Sequence, residues 1–416
     1  MTKRPLLHFT AAAGWINDPL ALTWRDGTYH LFFQYVPATT VWAFGCHWGH
    51  ATSPDLLRWT EQPVALSPGD GDDGCWSGSL VTLDGRDAVL FYTSVRGPDL
   101  DLGRVRRARP ADQAWRHWIK EGVVVEAPRD EGVIRFRDPF VFRDRDAWRM
   151  LVGATRADGT AVAFGYRSTD LLDWRSTGPL AQRSGSITEP VWTGTLWECV
   201  QLLPVDDRHL LVVSVYDAGV LHYVACAVGT YAEGAFQPEN WFRLTYGAAL
   251  YATSAYRDDR GRPGLVGWLR GVADPGGGWT GAITAPALVG LDERHHPLVR
   301  PHPNVAARRR DAQPARWPAG AAVDLEWSPR HGSLSIVDGQ DRAVAEIRAS
   351  DGMLTLVVDG VGTWDMPWPG GEVRLLLDGP VLEIFGGGAL MAAPLNPNHQ
   401  RVRASGTHRY WVLGTS

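Results

Sequence analysis

Asn17-Asp18-Pro19-Leu20-Ala21-Leu22 runs through the polar turn Arg25-Asp26-Gly27 into Tyr29-His30-Leu31-Phe32. The same pattern returns as Arg137-Asp138-Pro139-Phe140-Val141-Phe142, then Arg143-Asp144-Arg145-Asp146, then Trp148-Arg149-Met150-Leu151. The two acids stand 120 residues apart (138 − 18). A second pair agrees: Ser53-Pro54-Asp55-Leu56-Leu57-Arg58-Trp59 recurs as Ser168-Thr169-Asp170-Leu171-Leu172-Asp173-Trp174, 115 residues on (168 − 53). Each unit reads as strand, tight turn, strand, third strand and a Ser-x-Asp-Leu-Leu-x-Trp corner. Pro19 fixes its own φ and biases Asp18 towards an extended backbone, so this carboxylate rides on a stiff piece of chain.

Between the two clear units lies a weaker one: Trp76-Ser77-Gly78-Ser79-Leu80-Val81, then Ala88-Val89-Leu90-Phe91-Tyr92, ending near Asp112 and Trp115. Two more units fit before residue 300, starting near Trp197-Glu198-Cys199 and near Leu250-Tyr251-Ala252. Helical periodicity is nowhere sustained; the apolar runs are short, β-rich and broken by Gly, Asp and Pro. Five units of four strands predict a β-propeller over residues 1–300. Matched motifs at nearly equal offsets argue against a sandwich with chance similarity. Residues 301–318, rich in Pro and Arg and carrying Arg308-Arg309-Arg310, read as a solvated linker. Alternating strands with Gly-rich turns from 319 to 416 predict a β-sandwich. The fold class is thus all-β, a five-bladed propeller followed by a C-terminal sandwich.

A chain of 416 residues is long for one core, which agrees with two domains. A net charge of −5 gives no reason to expect nucleic acid as a partner. Tryptophan is abundant, at 20 residues. Most must fill β-cores; a few are candidates to line a carbohydrate site, where a flat ring meets the C–H face of a sugar. Met1-Thr2-Lys3-Arg4-Pro5 is charged, but no apolar run of signal-peptide length follows, and no stretch approaches a membrane span. Cys46, Cys75, Cys199 and Cys226 lack metal-finger spacing and are expected to be reduced and buried. A cytoplasmic protein is the expectation.

The inner strand of a propeller blade lines the central channel. Asp18, Asp138 and Glu198 are then three channel acids. Retaining glycoside hydrolysis needs a carboxylate nucleophile and a proton-donating carboxylic acid about 5 Å apart. The nucleophile wants hydrogen-bond donors such as Asn17. The donor wants a raised pKa, and Trp197 and Cys199 could supply an apolar setting for Glu198, with Asp138 adding negative charge tempered by Arg137. Other sites read as structural. His47 and His50 have no third ligand spaced to join them. Asp70-Gly71-Asp72-Asp73-Gly74 resembles part of a calcium loop, but Val81 stands where the last ligand would be, so it reads as a surface loop. Ser77 has no Ser-His-Asp context.

The motifs Trp15-Ile16-Asn17-Asp18-Pro19, Gln34-Tyr35, His47-Trp48-Gly49-His50-Ala51, Trp76-Ser77-Gly78-Ser79, Phe136-Arg137-Asp138-Pro139 and Trp197-Glu198-Cys199 resemble, in order, those of glycoside hydrolase family 32, the invertases, levanases and related fructosidases. Leu382-Glu383-Ile384-Phe385-Gly386-Gly387-Gly388 looks like a strand and turn of that family's C-terminal sandwich. The resemblance implies Asp18 as nucleophile on C2 of a β-fructofuranosyl unit, Glu198 as general acid/base, and Asp138 as binder of sugar hydroxyls. It implies Asn17, Gln34, Trp42, Trp76, Ser77 and Arg137 as further substrate contacts, a small-molecule carbohydrate as partner, and no metal or cofactor. The expected activity is release of fructose from sucrose or fructo-oligosaccharides through a covalent intermediate. A fructosyltransferase, an arabinofuranosidase-like enzyme and a silent fructan-binding protein are the alternatives. Leu20-Ala21, Val36, Val200 and Ala249 depart from the family's usual wording, with Leu20-Ala21 in place of Asn-Gly. They suggest polar surroundings depleted around an intact chemical core, which would bear on specificity.

Overall fold

A computed structural model describes residues 4–83, 87–312 and 314–414. The charged start read at residues 1–3, Gln313 of the connector and the last two residues of the sandwich lie outside them. No helix among the described residues is long and apolar enough to cross a membrane.

Residues 14–301 form five four-stranded blades. Blade 1 is Gly14–Arg25, Thr28–Val36, His47–Ser53 and Thr60–Leu66. Blade 2 is Gly74–Leu83, Asp87–Arg96, Asp99–Pro110 and Trp118–Val125. Blade 3 is Val133–Asp144, Ala147–Arg156, Thr160–Ser168 and Arg175–Ser184. Blade 4 is Leu196–Val205, Arg208–Asp217, Val220–Ala232 and Ala235–Arg243. Blade 5 is Leu250–Arg257, Pro263–Asp274, Ala287–Leu291 and Pro297–Pro301. An extra strand, Trp279–Ile283, pairs with blade 5 and, in parallel, with the first strand of blade 1. Gly281 permits that closure: a Cβ there would stand 2.0 Å from the Ile16 carbonyl oxygen.

The repeated corner has a local cause. In blade 1 the Asp55 carboxylate accepts the backbone N–H groups of Leu57 and Arg58. In blade 3 Asp170 accepts those of Leu172 and Asp173. This Asx turn drives the residue after the acid into the left-handed region, Leu56 at φ 67° and Leu171 at φ 66°. Blade 2 turns its corner differently: Trp115, three residues after Asp112, takes φ 56°, and Asp112 accepts N–H bonds from Ala114, Arg116 and His117.

The sandwich packs a seven-stranded sheet on a five-stranded one. Thr245–Tyr246 leaves blade 4 and joins the larger sheet beside Ala389–Pro394. Leu203, Leu210 and Leu269 of the propeller share one apolar cluster with Leu376, Phe385 and Leu390 of the sandwich. The connector is not the solvated linker expected from its composition. Pro303–Ala306 is a short helix, and Arg309–Ala312 pairs with Thr407–Leu413 at the sandwich edge. Arg308 is ion-paired with Asp55 of blade 1. Arg309 bonds Asp324 (2.6 Å) and stacks on Trp411 at 3.7 Å. Arg308 thus fastens the connector to blade 1, and Arg309 fastens it to the sandwich. Likewise Asp72 is no surface-loop acid: it is buried, ion-paired with Arg106 and Lys120 at 2.9 Å each, and accepts the Tyr92 hydroxyl.

The other junction is a buried charge cluster. His8, ahead of blade 1, places Nδ1 2.8 Å from Asp378 and Nε2 3.3 Å from Glu383 of the sandwich, all three side chains fully enclosed. Asp378 also accepts the backbone N–H groups of Leu6 and Leu7 at 2.7 Å each. Burial disfavours the imidazolium, but the facing Glu383 and Asp378 overcome it and carry the His8 pKa from 6.5 to about 10. A pKa raised by folding stabilises the native state fully below 6.5, and the gain is lost as pH rises through about 10. His8→Ala leaves two buried carboxylates without their cation and should cost about 3–5 kcal/mol in urea unfolding. It should also flatten the fall in stability between those two pH values; an unchanged pH profile would show that His8 is not charged in the fold.

Candidate active site

Every inner strand slips its register against its neighbour at the same depth. The slips fall between Ile16 and Pro19, Trp76 and Gly78, Arg137 and Phe140, Glu198 and Gln201, and Tyr251 and Ser254. A bulge of this kind breaks the alternation of a strand and re-aims side chains. Here five bulges aim side chains into one end of the channel. Three carry non-glycine residues at positive φ: Asp138 at 63°, Cys199 at 48° and Ala252 at 48°. That conformation is uncommon outside glycine and easiest for Asp and Asn. Asp138 adopts it although it precedes a proline, which normally favours an extended residue.

The bulges open on a pocket of about 500 Å³, within the range of small-molecule sites. Asp18, Asp138, Glu198, Asn17, Gln34, Trp42, Trp76, Ser77 and Arg137 all line it, so the residues singled out from sequence converge on one place. Trp15, Asp101, Tyr216, Leu221, Tyr251 and Trp268 line it too and were not among them. Tyr251 was within reach, since it stands at the fifth blade's equivalent of the positions that gave the acids. Asp101 had no signal, because it comes from a third strand and meets the pocket only through the fold.

Asp18 is held from three sides. Asn17 Nδ2 donates at 2.9 Å, Ser77 Oγ at 2.6 Å and Cys199 Sγ at 3.6 Å. Asn17 is oriented by Trp15 Nε1, 3.1 Å from its carbonyl oxygen. Burial raises the Asp18 pKa, and these donors oppose the rise by stabilising the carboxylate. Asp138 accepts the Cys199 N–H at 2.8 Å, while its own N–H donates to Thr93 Oγ1 at 2.7 Å. Residue 199 therefore touches both aspartates, and its chain neighbour is Glu198. The Tyr251 hydroxyl donates to Glu198 Oε2 at 2.8 Å, and Arg137 Nη1 lies 3.5 Å from Oε1. Burial raises Glu198; Arg137 and Tyr251 restrain it, and the Asp18 charge pushes it further up. Asp138 is raised as well, by burial first and then by the charges of Glu198 and Asp18. Three carboxyl groups so close titrate as a set and hold protons above the usual carboxylate range. The Cys199 thiol is pushed up by burial and the three acids, so it stays a neutral donor.

Trp42 and Trp76 meet edge-on at 6.2 Å on one wall, and Trp15 and Trp268 do so at 5.6 Å on another. Other tryptophans, such as Trp48, Trp115 and Trp197, are fully buried in the cores. None of Leu20, Ala21, Val36, Val200 and Ala249 is among the residues that line the pocket. Leu20, Ala21 and Val200 line a smaller space that Asp138 also borders, and Val36 and Ala249 are buried in packing. The depletion of polar groups therefore lies outside the pocket wall. His50 is a core residue, stacked on Phe32 at 4.5 Å, and burial lowers its pKa to about 3; His47 Nδ1 lies 3.0 Å from Ser67 Oγ. No cluster of metal-ligating side chains occurs among the described residues.

A ring of five blades whose channel acids are raised by burial, walled by tryptophan and fed by neutral donors, defines a glycosidase-type site on a propeller. Residues 8–301 match the profile of the glycosyl hydrolases family 32 N-terminal domain, and the chain belongs to that family. Raffinose invertase of Escherichia coli is 32% identical over 338 residues, 75% of this chain and 67% of that protein. Sucrose-6-phosphate hydrolase of the same organism is 32% identical over 302 residues, 68% of this chain and 61% of that one. The match thus spans little more than three fifths of that second relative's length. The β-fructofuranosidase structure from Bombyx mori superposes with a TM-score of 0.86 at 23% identity, covering 99% of this chain and 94% of that one. It shares both the propeller and the sandwich.

Removing the shortest donor to Asp18 tests the electrostatics directly. Ser77→Ala should raise the Asp18 pKa, read as a shifted midpoint in a carbon-13 NMR titration of the aspartate carboxyl groups. An unmoved midpoint would mean that the Ser77 hydroxyl does not favour the charged form.

Proposed function

We propose that the chain is a retaining β-fructofuranosidase that releases fructose from sucrose or short fructo-oligosaccharides. The observation that carries this is a single pocket holding a carboxylate supplied with three donors, Asp18, together with a carboxyl raised by burial, Glu198. In the first step an Asp18 oxygen attacks C2 of the fructosyl unit while Glu198 gives its proton to the departing glycosidic oxygen. The C2–O bond to the leaving sugar breaks as the ester to Asp18 forms. In the second step Glu198 takes a proton from water, the hydroxide attacks C2, and the ester bond returns its electrons to Asp18. Asp138, Arg137, Asn17 and Gln34 hold the sugar hydroxyls. Trp42 and Trp76 offer apolar faces to the ring. A cytoplasmic setting belongs to the same proposal, and four buried, unpaired thiols fit a reducing compartment.

Asp18→Asn and Glu198→Gln should each lower kcat on sucrose by at least about 10²–10⁴-fold, the usual worth of a catalytic acid, base or nucleophile. Near-normal turnover in either variant would remove its residue from the mechanism. Tyr251→Phe has a signed outcome. Its hydroxyl stabilises the charged Glu198, so its loss raises that pKa and keeps the acid protonated longer. The alkaline limb of the kcat/KM profile should move to higher pH; a shift downwards would contradict the assignment of Glu198 as the acid.

A further inference from the structure

Four carboxyl groups line the pocket, Asp18, Asp101, Asp138 and Glu198, against one cation, Arg137. Two of its three nitrogens are engaged. Its Nη2 lies 3.2 Å from Asp101 Oδ1, its Nη1 faces Glu198, and its guanidinium sits 5.3 Å over the Trp76 ring. The nearby Arg135 is bound to the same Asp101 oxygen at 3.1 Å and lies over the Tyr216 ring. The half-buried Arg270 is spent on backbone carbonyls, with Nη1 2.7 Å from Leu221 O and Nε on Ala249 O, behind Tyr251. Asp101 is half exposed, so its carboxylate stands at the open side of the pocket, where the part of a substrate beyond the fructosyl unit would enter.

We infer that the pocket selects uncharged sugars and rejects phosphorylated ones, and that Asp101 is the residue that enforces the choice. This rests on the fructosidase reading above and sharpens it to a substrate class. Among the relatives in view are both an invertase of a neutral sugar and a sucrose-6-phosphate hydrolase. A phosphoryl group carries nearly two charges at neutral pH and needs paired cations or clustered N–H donors. Here it would meet the Asp101 carboxylate at the rim and three more acids inside. Both nearby arginines, Arg135 and the buried Arg137, are held by Asp101 itself. Neutral hydroxyls meet no such penalty, because carboxylates accept hydrogen bonds from them.

The experiment separates binding from turnover. In the wild type, kcat/KM is compared for sucrose and sucrose 6-phosphate. In Glu198→Gln, calorimetry compares fructose and sucrose with fructose 6-phosphate and sucrose 6-phosphate as ligands. A preference for the neutral sugar of at least about 100-fold is expected, since like charges set face to face cost several kcal/mol. The preference should shrink in high salt, which screens charge but leaves shape unchanged. Asp101→Asn should improve the relative affinity for the phosphorylated sugars by about tenfold or more, because it removes the repelling charge and releases Arg135 and Arg137. Equal or tighter binding of a phosphorylated sugar to the unsubstituted rim would overturn the inference even if the enzyme cleaves sucrose well. Selective binding of neutral sugars without any cleavage would uphold it while defeating the proposed reaction. Failure of every sugar to bind would defeat both.

Discussion

The arrangement depends on one backbone group, the N–H of Cys199, donated to the Asp138 carboxylate. It is available because the inner strand of blade 4 bulges after Glu198, leaving residue 199 outside the ladder with φ 48°. The same bulge turns the Cys199 sulfur towards Asp18. Three acids from three blades are thereby indexed to a single peptide. Burying that many carboxyls is unfavourable unless donors and cations surround them. Ser77, Asn17, Tyr251 and Arg137 supply those groups, each from an inner strand. A propeller suits the task because every blade delivers a bulge at the same depth without a long loop to position it.

Much of this was legible in the sequence because the repeat is written in residues with strong local chemistry. The Asp-Pro pairs and the Ser-x-Asp-Leu-Leu-x-Trp corners specify a bulge and an Asx turn, and both recur wherever their residues do. Blade 2 was fainter because its corner is built around Asp112 with a different turn and different wording. What could not be read is what the fold brings together from unrelated positions. Asp101 reaches the pocket from a third strand, and its partners Arg135 and Arg137 belong to the next blade. Arg308 and Arg309 looked like a charged linker because composition shows charge but not the buried acid waiting for it. Asp72 deceived in the same way, since a glycine-rich acidic run says nothing of the Arg106 and Lys120 that enclose one of its members.

The sandwich is bound into this scheme through the same kind of device. His8 lies just ahead of the strand that carries Asp18, and its ring is clamped between Asp378 and Glu383 of the sandwich. Glu383 belongs to the Leu-Glu-Ile-Phe strand, whose other side chains fill the core. A carboxylate at that place is costly alone and is explained by its partner in the other domain. The entry to blade 1, the ring closure at Gly281 and two inner strands of the larger sandwich sheet are therefore linked through a few residues. The position of Asp18 inherits rigidity from all three.

Charge crowding has two consequences in this pocket, and they have one origin. Close packing of acids in a medium of low dielectric raises their pKa values, which suits a carboxyl that must give up a proton at neutral pH. The same field extends to the mouth, where Asp101 adds to it. A site built to keep a proton on one of its carboxyls is unwelcoming to any further anion unless cations are added at the rim. In this chain Arg135 and the buried Arg137 are already bound to Asp101, so they steady the acid and leave little for a ligand. Leu20 and Ala21, where the family's usual wording changes, are not among the residues that line the pocket. Under the proposed substrate choice, selectivity between a neutral and a charged sugar is set by the pairing between Asp101 and its two arginines.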